Sequence, residues 1–479
     1  MENKLFKKFM TYFYGSGIAL IIGLLTTIIS TRILSPEDFG KASMFTLAIN
    51  ISMLFIVFGT DQAFIRFFYE EVNDLRTKLL FNTMKFPIIL LSIVILSLFV
   101  FRKSIMLFLF DTNSNMIFFV LIFSITFQVI YRFSLLVIRM QQKGYLFSLM
   151  QVLYKVANIT FLLLFFYLIG DKYEVLIYSI GVSLLIVVII SIFMERSFWL
   201  RKPHLGGETK HTQLEILKYS YPLVLTLLLT WLFQAFDKIA IRQWSNFDEL
   251  GLYTAAFQIV ALLSVVQGAF STFWAPVCYE KFEKDPEDRN FFALTSRLVS
   301  LIMFAIAILT IIFKDLIVML LGNDFEAAAQ IMPFLVFIPL MYTISETTAI
   351  GINFFKKTKW HILISLTVCI INIIGNVLLV PRYGASGAAI STGISYIIFF
   401  ILRTHISLAY FKVNYALKRI YFFVICIGAF AFQNLIIPNH YTTYLTGISL
   451  LGLIGILYKN DLKKLILLFL KDRNKINSN

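Results

Sequence analysis

The side chains that could carry acid–base, nucleophilic or metal chemistry in this chain of 479 residues are five histidines, three cysteines and 27 acidic residues. Their spacing assembles none of it. His204, His211, His361, His405 and His440 contain no HExxH pair and no second-ligand spacing, and the glycines at Gly15 and Gly17 follow no strand and open no phosphate loop. Cys278, Cys369 and Cys426 fall within or beside apolar stretches without a CxxC or zinc pattern, so they read as buried thiols. No catalytic residue, metal site or organic cofactor is expected. Asn158-Ile159-Thr160 has the letters of a glycosylation sequon, but it sits inside an apolar run where no glycosylating enzyme reaches.

What remains is a set of polar residues inside apolar runs. On insertion scales a Lys, Arg or Asp at the centre of a spanning helix costs on the order of 2.5–3.5 kcal/mol, so each needs a partner, a wet cavity or an interface. Gln128 and Arg132 are four apart, and Gln151, Lys155 and Asn158 follow at i, i+4 and i+7, so each set shares a helical face. Gln234, Asp237 and Lys238 share another, Glu346 and Asn353 are seven apart, and Asn372 and Asn376 four apart. Lys85, Arg132, Lys155 and Arg297 form a candidate cationic cavity lining, since low-dielectric walls strengthen attraction to an anionic headgroup. Asp61 with Arg66, and Asp237 with Lys238, are candidates for local pairs or for inner and outer gates. Arg66, Arg139 and Arg242 stand near span ends, where snorkelling is the simpler role. The asparagines can equally tie helices together by interhelical hydrogen bonds.

The elements that position these residues follow from composition. Hydrophobic residues make up 59%, charged residues 14%, and the mean hydropathy is +0.82, which excludes an ordinary soluble enzyme with about 25% charge. With 51 Phe and only ten Pro, disorder, collagen and a β-barrel are also excluded. The chain is expected to be an all-α polytopic membrane protein. About 20 apolar residues span a bilayer, and such windows fall near 13–34, 43–64, 80–101, 115–138, 146–169, 175–195, 219–242, 252–276, 291–313, 328–352, 361–380, 385–410, 419–437 and 441–458, about fourteen in all. With both termini cytoplasmic, roughly 29 Lys and Arg lie inside against roughly 8 outside, which fits the positive-inside rule. The net charge of +15 therefore points to membrane topology and not to nucleic acid. The basic start, Met1 to Met10, leads into an uncleaved first span, and 462–470 is expected to lie along the inner surface as an amphipathic segment. No outer loop is long enough for a folded catalytic domain.

The polar linker near 201–210 divides the chain, giving expected pieces 1–211, 212–410 and 411–479. An internal repeat supports two lobes. Ser35-Pro36-Glu37-Asp38-Phe39-Gly40 matches Phe247-Asp248-Glu249-Leu250-Gly251, Tyr69-Glu70 matches Tyr279-Glu280, and Asn158 with Gly170 matches Asn372 with Gly384. The offsets stay near 211, about six spans, so the lobes keep one membrane orientation. Pro87, Pro222, Pro333 and Pro339 are positioned to kink spans 3, 7 and 10.

Several of these segments carry a resemblance. Thr31 to Gly40, Gly59-Thr60-Asp61-Gln62-Ala63-Phe64-Ile65-Arg66, Asp237-Lys238 followed by Glu249-Leu250-Gly251-Leu252-Tyr253, and Lys356 to Trp360 with Asn372, Asn376 and Pro381-Arg382-Tyr383-Gly384-Ala385 resemble the polysaccharide-repeat flippases. These are the O-antigen and capsule exporter branch of the multidrug/oligosaccharidyl-lipid/polysaccharide superfamily. Lys238 stands where that family often has Arg. The resemblance implies two six-helix lobes in a V around a central cavity, plus two C-terminal helices. It implies a non-enzymatic carrier of an undecaprenyl-pyrophosphate-linked oligosaccharide across a bacterial cytoplasmic membrane. In that setting Lys85, Arg132, Lys155 and Arg297 would hold the pyrophosphate or acidic sugars, and Asn158, Gln234, Asn372 and Asn376 the glycan. Asp61, Asp237 and Glu346 would couple transport to a proton, sodium ion or the membrane potential. Expected partners are the lipid-linked substrate, membrane lipids, a glycan polymerase and a chain-length regulator, with the chain itself monomeric. Two alternatives stand beside this reading: a drug or organic-cation antiporter of the same superfamily, which would want an acidic cavity, and a membrane glycan polymerase or ligase, which would want a large outer loop.

Overall fold

A computed structural model describes residues 2–200, 209–437 and 439–461; the side chains of residues 2–16 and of several residues between 223 and 234, Gln234 among them, lie outside the description, as does the expected amphipathic segment 462–470. Every regular element among the described residues is helical, and eleven helical segments among them, some made of two consecutive helices, are long and apolar enough to cross a membrane. The chain divides into two compact units, 1–238 and 239–479.

The first unit contains α1 (Glu2–Ile33), α2 (Pro36–Val57), α3 (Thr60–Phe67), α4 (Arg76–Val100), α5 (Arg102–Phe110), α6 (Asn115–Met140), α7 (Gly144–Ile169), α8 (Glu174–Met194), α9 (Arg196–Trp199) and most of α10 (Gln213–Trp244). The second continues with α11 (Phe247–Ala261), α12 (Leu263–Lys284), α13 (Arg289–Ile312), α14 (Lys314–Val318), α15 (Ala328–Leu335), α16 (Phe337–Thr348), α17 (Ile350–Phe354), α18 (Lys359–Tyr410), α19 (Leu417–Ile436) and α20 (His440–Leu457). Compactness thus places the division at 238/239, within α10. The start of α10 is bonded to the first unit, where the Gln213 amide donates to the Asn82 carbonyl at 2.7 Å and the His211 N–H to Glu71 at 3.3 Å. Residues 417–457 are likewise no separate piece: Phe423 packs on Phe304, Phe432 on Phe334, and Tyr458 shares a 3.0 Å hydrogen bond with Ser300.

The repeat seen in the sequence has a structural counterpart. Ser35 caps α2 by accepting from the Asp38 N–H at 3.2 Å, and Asn246 caps α11 by accepting from the Glu249 N–H at 2.9 Å. The two acidic residues then do the same job in their own units. Asp38 accepts from the Tyr173 N–H at 3.2 Å, and Glu249 from the Ala385 N–H at 2.8 Å. Each carboxylate therefore reaches from the start of one helix to an otherwise unbonded N–H at the start of a later one, which favours the anion at both helix N-termini. The pairs 38/249 and 173/385 keep the sequence offset of about 211.

Two breaks depart from regular helices. Residues Phe58 and Gly59 both have positive φ, 49° and 71°, so the expected span 43–64 ends as α2 and restarts as α3. The backbone of Ser220 on α10 approaches Gly59 so closely that a Cβ there would lie 3.0 Å from its carbonyl oxygen, in a conformation that already favours glycine. Gly384, with φ 52° and ψ −131°, interrupts α18. Its two arms, the expected spans 361–380 and 385–410, fold back antiparallel: the Asn372 amide donates to Thr392 at 3.0 Å, and Ser391 donates to the Asn372 carbonyl at 2.9 Å. A Cβ on Gly384 would lie 2.7 Å from the Glu249 carboxylate. Gly384→Ala is expected to cost about 1–3 kcal/mol of backbone strain and to lower the apparent melting temperature in detergent, whereas Gly170→Ala, at φ 89° but with no neighbour within 4 Å, should cost less.

Candidate functional site

In the first unit the break after α2 places Asp61 in the first turn of α3, where it is buried. A carboxylate there needs a counter-charge, and α6 supplies it: Arg132 donates to Asp61 Oδ2 from Nη2 at 2.6 Å and from Nε at 3.1 Å. Gln62 donates to the same oxygen at 3.1 Å. Arg132 keeps half of its side chain exposed while Asp61 has almost none, so the guanidinium has one side on the acid and the other open. The expected local pairing of Asp61 with Arg66 is replaced by two separate pairs, because Arg66 bonds to Glu70 one turn along.

Lys155 lies on α7, about 17 Å along the helix from Gly144, and Arg132 about 12 Å from the adjoining end of α6. Both therefore sit well within the apolar length of their helices. No acidic partner bonds Lys155 among the described residues; its ammonium lies over the Tyr154 ring at 5.7 Å and beside Gly23 of α1, where a Cβ would be 3.6 Å from Nζ. A glycine at that point of α1 makes room for the cation. It carries no signal in the sequence that links it to Lys155.

The other sequence-selected residues are placed as follows. Lys85 is exposed, two residues before Pro87. Arg297 turns to the C-terminal end, with Asp461 at 3.7 Å and the Asn414 carbonyl at 3.5 Å. Asn158 donates to Ser179 on α8 at 3.2 Å, and Asn376 on the first arm of α18 donates to Ser391 on the second at 3.4 Å, so with Asn372 these amides join helices or helix arms. Asp237 is buried and Lys238 half-buried on α10. Glu346 on α16 is met by Arg403 from the second arm of α18 at 3.0 Å, and Arg403 also donates to Ser345 at 2.7 Å and faces the Phe399 ring at 5.0 Å. Arg403 was not selected by the sequence. The signal for it was Glu346 itself, an acid in an apolar segment that required a cation from somewhere in the chain.

A second cluster lies where the linker enters α10. His211 stacks on Phe67 with ring centroids 4.0 Å apart, bonds Glu70 at 2.8 Å and stands 3.5 Å from Glu215. The hydrogen bond from His211, opposed by desolvation and helped by the charge of Arg66, holds the Glu70 carboxyl below its ordinary value of 4.5.

A family model for polysaccharide biosynthesis proteins matches residues 5–282, more than half of the chain. The chain belongs to the polysaccharide biosynthesis protein family. This family member is 25% identical over 327 residues to protein 1 of the Lsg locus of Haemophilus influenzae, covering 67% of this chain and 78% of that one. Among solved structures, the lipid II flippase MurJ in an inward closed conformation superposes with a TM-score of 0.67 at 17% identity, over 94% of this chain and 99% of its own. An inward-facing multidrug resistance MATE family transporter of the MOP superfamily gives 0.60 at 14% identity, over 85% and 95%. The polysaccharide biosynthesis protein thus has the multi-pass helical fold of these transporters, as the motifs implied.

Two measurements check the site. Removing Arg132 alone leaves Asp61 as a buried, uncompensated charge, so Arg132→Ala is expected to destabilise by about 3–5 kcal/mol, and the double variant with Asp61→Asn by much less; additive losses in detergent melting would contradict the pairing. A depressed Glu70 pKa in the folded chain means that this group contributes stability above about pH 4.5 and loses it as pH falls through the lower folded value. Glu70→Gln should therefore melt closer to wild type at pH 3.5 than at pH 7.

Proposed function

We propose that this polysaccharide biosynthesis protein is a flippase that carries an undecaprenyl-pyrophosphate-linked oligosaccharide repeat unit from the inner to the outer leaflet of a bacterial cytoplasmic membrane, by alternating access and with both termini cytoplasmic. The observation that carries the reading is Lys155. A cation deep in an apolar helix is costly unless it has a counter-charge or water; an anionic, sugar-bearing cargo, as the resemblance to polysaccharide-repeat flippases implies, would provide one, and membership of a polysaccharide biosynthesis family supports that reading. Arg132 adds a guanidinium already oriented by Asp61, with its open side available to a phosphate oxygen. The barrier to flipping is the transfer of a charged, polyhydroxylated headgroup through hydrocarbon, and fixed charges with a wet lining replace the solvent that the headgroup leaves. The polyprenyl chain would stay in lipid. No step requires a covalent bond to the protein.

Asn158, Asn372 and Asn376 are engaged in bonds between helices or helix arms, Arg297 in contacts with Asn414 and Asp461, and none has a part in this reading. The Asp61–Arg132 and Glu346–Arg403 pairs are its coupling elements, since protonating either acid would release a cation. The membrane potential does about 2.3 kcal/mol of work per charge per 100 mV. A glycan polymerase and a chain-length regulator would receive the product.

The test is a deletion strain complemented with wild type, Lys155→Ala or Lys155→Arg. Loss of one charge-assisted contact to the pyrophosphate should lower transport about tenfold to a hundredfold, so Lys155→Ala should lose surface glycan and accumulate lipid-linked repeats, with partial rescue by Arg. Normal export in Lys155→Ala removes the site assignment. Intact surface glycan in the deletion strain, with altered sensitivity to cationic drugs, replaces the flippase reading with the antiporter.

A further inference from the structure

The second unit carries a cavity of about 470 Å3 away from the groups discussed so far, lined chiefly by Lys314, Asp315, Glu326, Gln330, Asn439 and His440. It lies where α13 passes into α14, where α15 begins and where α20 begins. In the proposed orientation this is the outer face.

Its wall has a defined chemistry. Lys314 is almost wholly buried and donates to Asp315 at 2.8 Å, and the second oxygen of Asp315 meets His440 Nδ1 at 3.1 Å. Asp315 therefore joins α14 to the first residue of α20. Glu326 is exposed, and its carboxylate has no hydrogen bond or ion pair among the described residues. Gln330 follows four residues on, in the first turn of α15. Thr443 completes the floor, donating to Asn434 at 2.7 Å.

Two carboxylates against one ammonium make the lining unfavourable for phosphate or another carboxylate. Four charged or ionisable groups make it unfavourable for a hydrocarbon tail. Among the described residues no three His, Cys, Asp or Glu side chains are grouped to hold a metal ion. A polyhydroxylated ligand fits each of these groups: a hydroxyl donates to a carboxylate and accepts from an ammonium or amide. The volume falls in the usual range for small-molecule sites. We propose that this cavity is a saccharide site that accepts neutral and amino sugars and rejects uronic acids. Resting on the flippase reading, it holds the glycan at the outer face after the headgroup has crossed.

The experiment is saturation-transfer difference NMR on the full chain in lipid nanodiscs, with glucose, galactose, N-acetylglucosamine, glucosamine, glucuronate and inorganic phosphate as separate probes. Neutral or amino sugars should give signals and glucuronate and phosphate none. Glu326→Gln combined with Gln330→Ala, both at accessible positions, should weaken sugar binding about tenfold, and Asp315→Asn provides a second variant should the first fold poorly. Silence from all four neutral and amino sugars, signals from glucuronate or phosphate alone, or undiminished binding in the folded variants overturns the proposal. The readout involves no transport, so sugar binding here alongside intact glycan in the deletion strain would sink the flippase reading and leave the site, whereas Lys155-dependent export with no sugar binding would sink the site alone.

Discussion

Hydrocarbon offers no hydrogen bonds, so any peptide group, amide or charge that enters it must be met by another part of the same chain. That requirement organises both units. Asp61 is met by Arg132 from α6, Glu346 by Arg403 from α18, and the buried Glu195 by Lys143 at 2.6 Å. Each pair joins residues more than 50 positions apart, so satisfying a charge also fixes which helices are neighbours. Lys155 departs from the pattern, and the departure is what makes it informative: a glycine on α1 makes room for an ammonium that none of the described acids neutralises.

The repeat shows the same rule acting on backbone. Helix N-termini leave unbonded N–H groups, and in each unit one acidic side chain serves two of these ends. The first unit does it with the shorter aspartate and the second with glutamate, reaching to the residue just after the left-handed Gly384. The halves differ more at the other end of the same helices. Two consecutive left-handed residues separate α2 from α3, while α11 and α12 run on through Leu262 in a helical conformation. A broken helix beside a buried charge is a frequent arrangement at transporter sites.

Much of this was legible in the sequence because its causes are local. Apolar length gave the spans, and the spacing of Asp38 and Glu249 gave the repeat. Even the split of α18 at Gly384 follows from Pro381 and Gly384 lying between two apolar runs. Partner choice was not legible, because it depends on which helices meet. Arg66 and Asp61 are close in sequence yet pair with Glu70 and Arg132, and Arg297 is drawn to Asp461 far along the chain. The asparagines illustrate the ambiguity most plainly: an amide in an apolar helix must bond to something, and periodicity alone cannot say whether that is cargo or the next helix.

The buried amides of α18 have a consequence for how the chain is made. Asn372 and Asn376 sit on the first arm, and their bonding partners Ser391 and Thr392 on the second, which is synthesised later. Released alone into lipid, the first arm would carry two amides whose cross-arm bonds have not yet formed. Insertion of the two arms as one preassembled hairpin avoids that state, so the order of translation and the timing of lateral exit into the bilayer become part of what this sequence encodes.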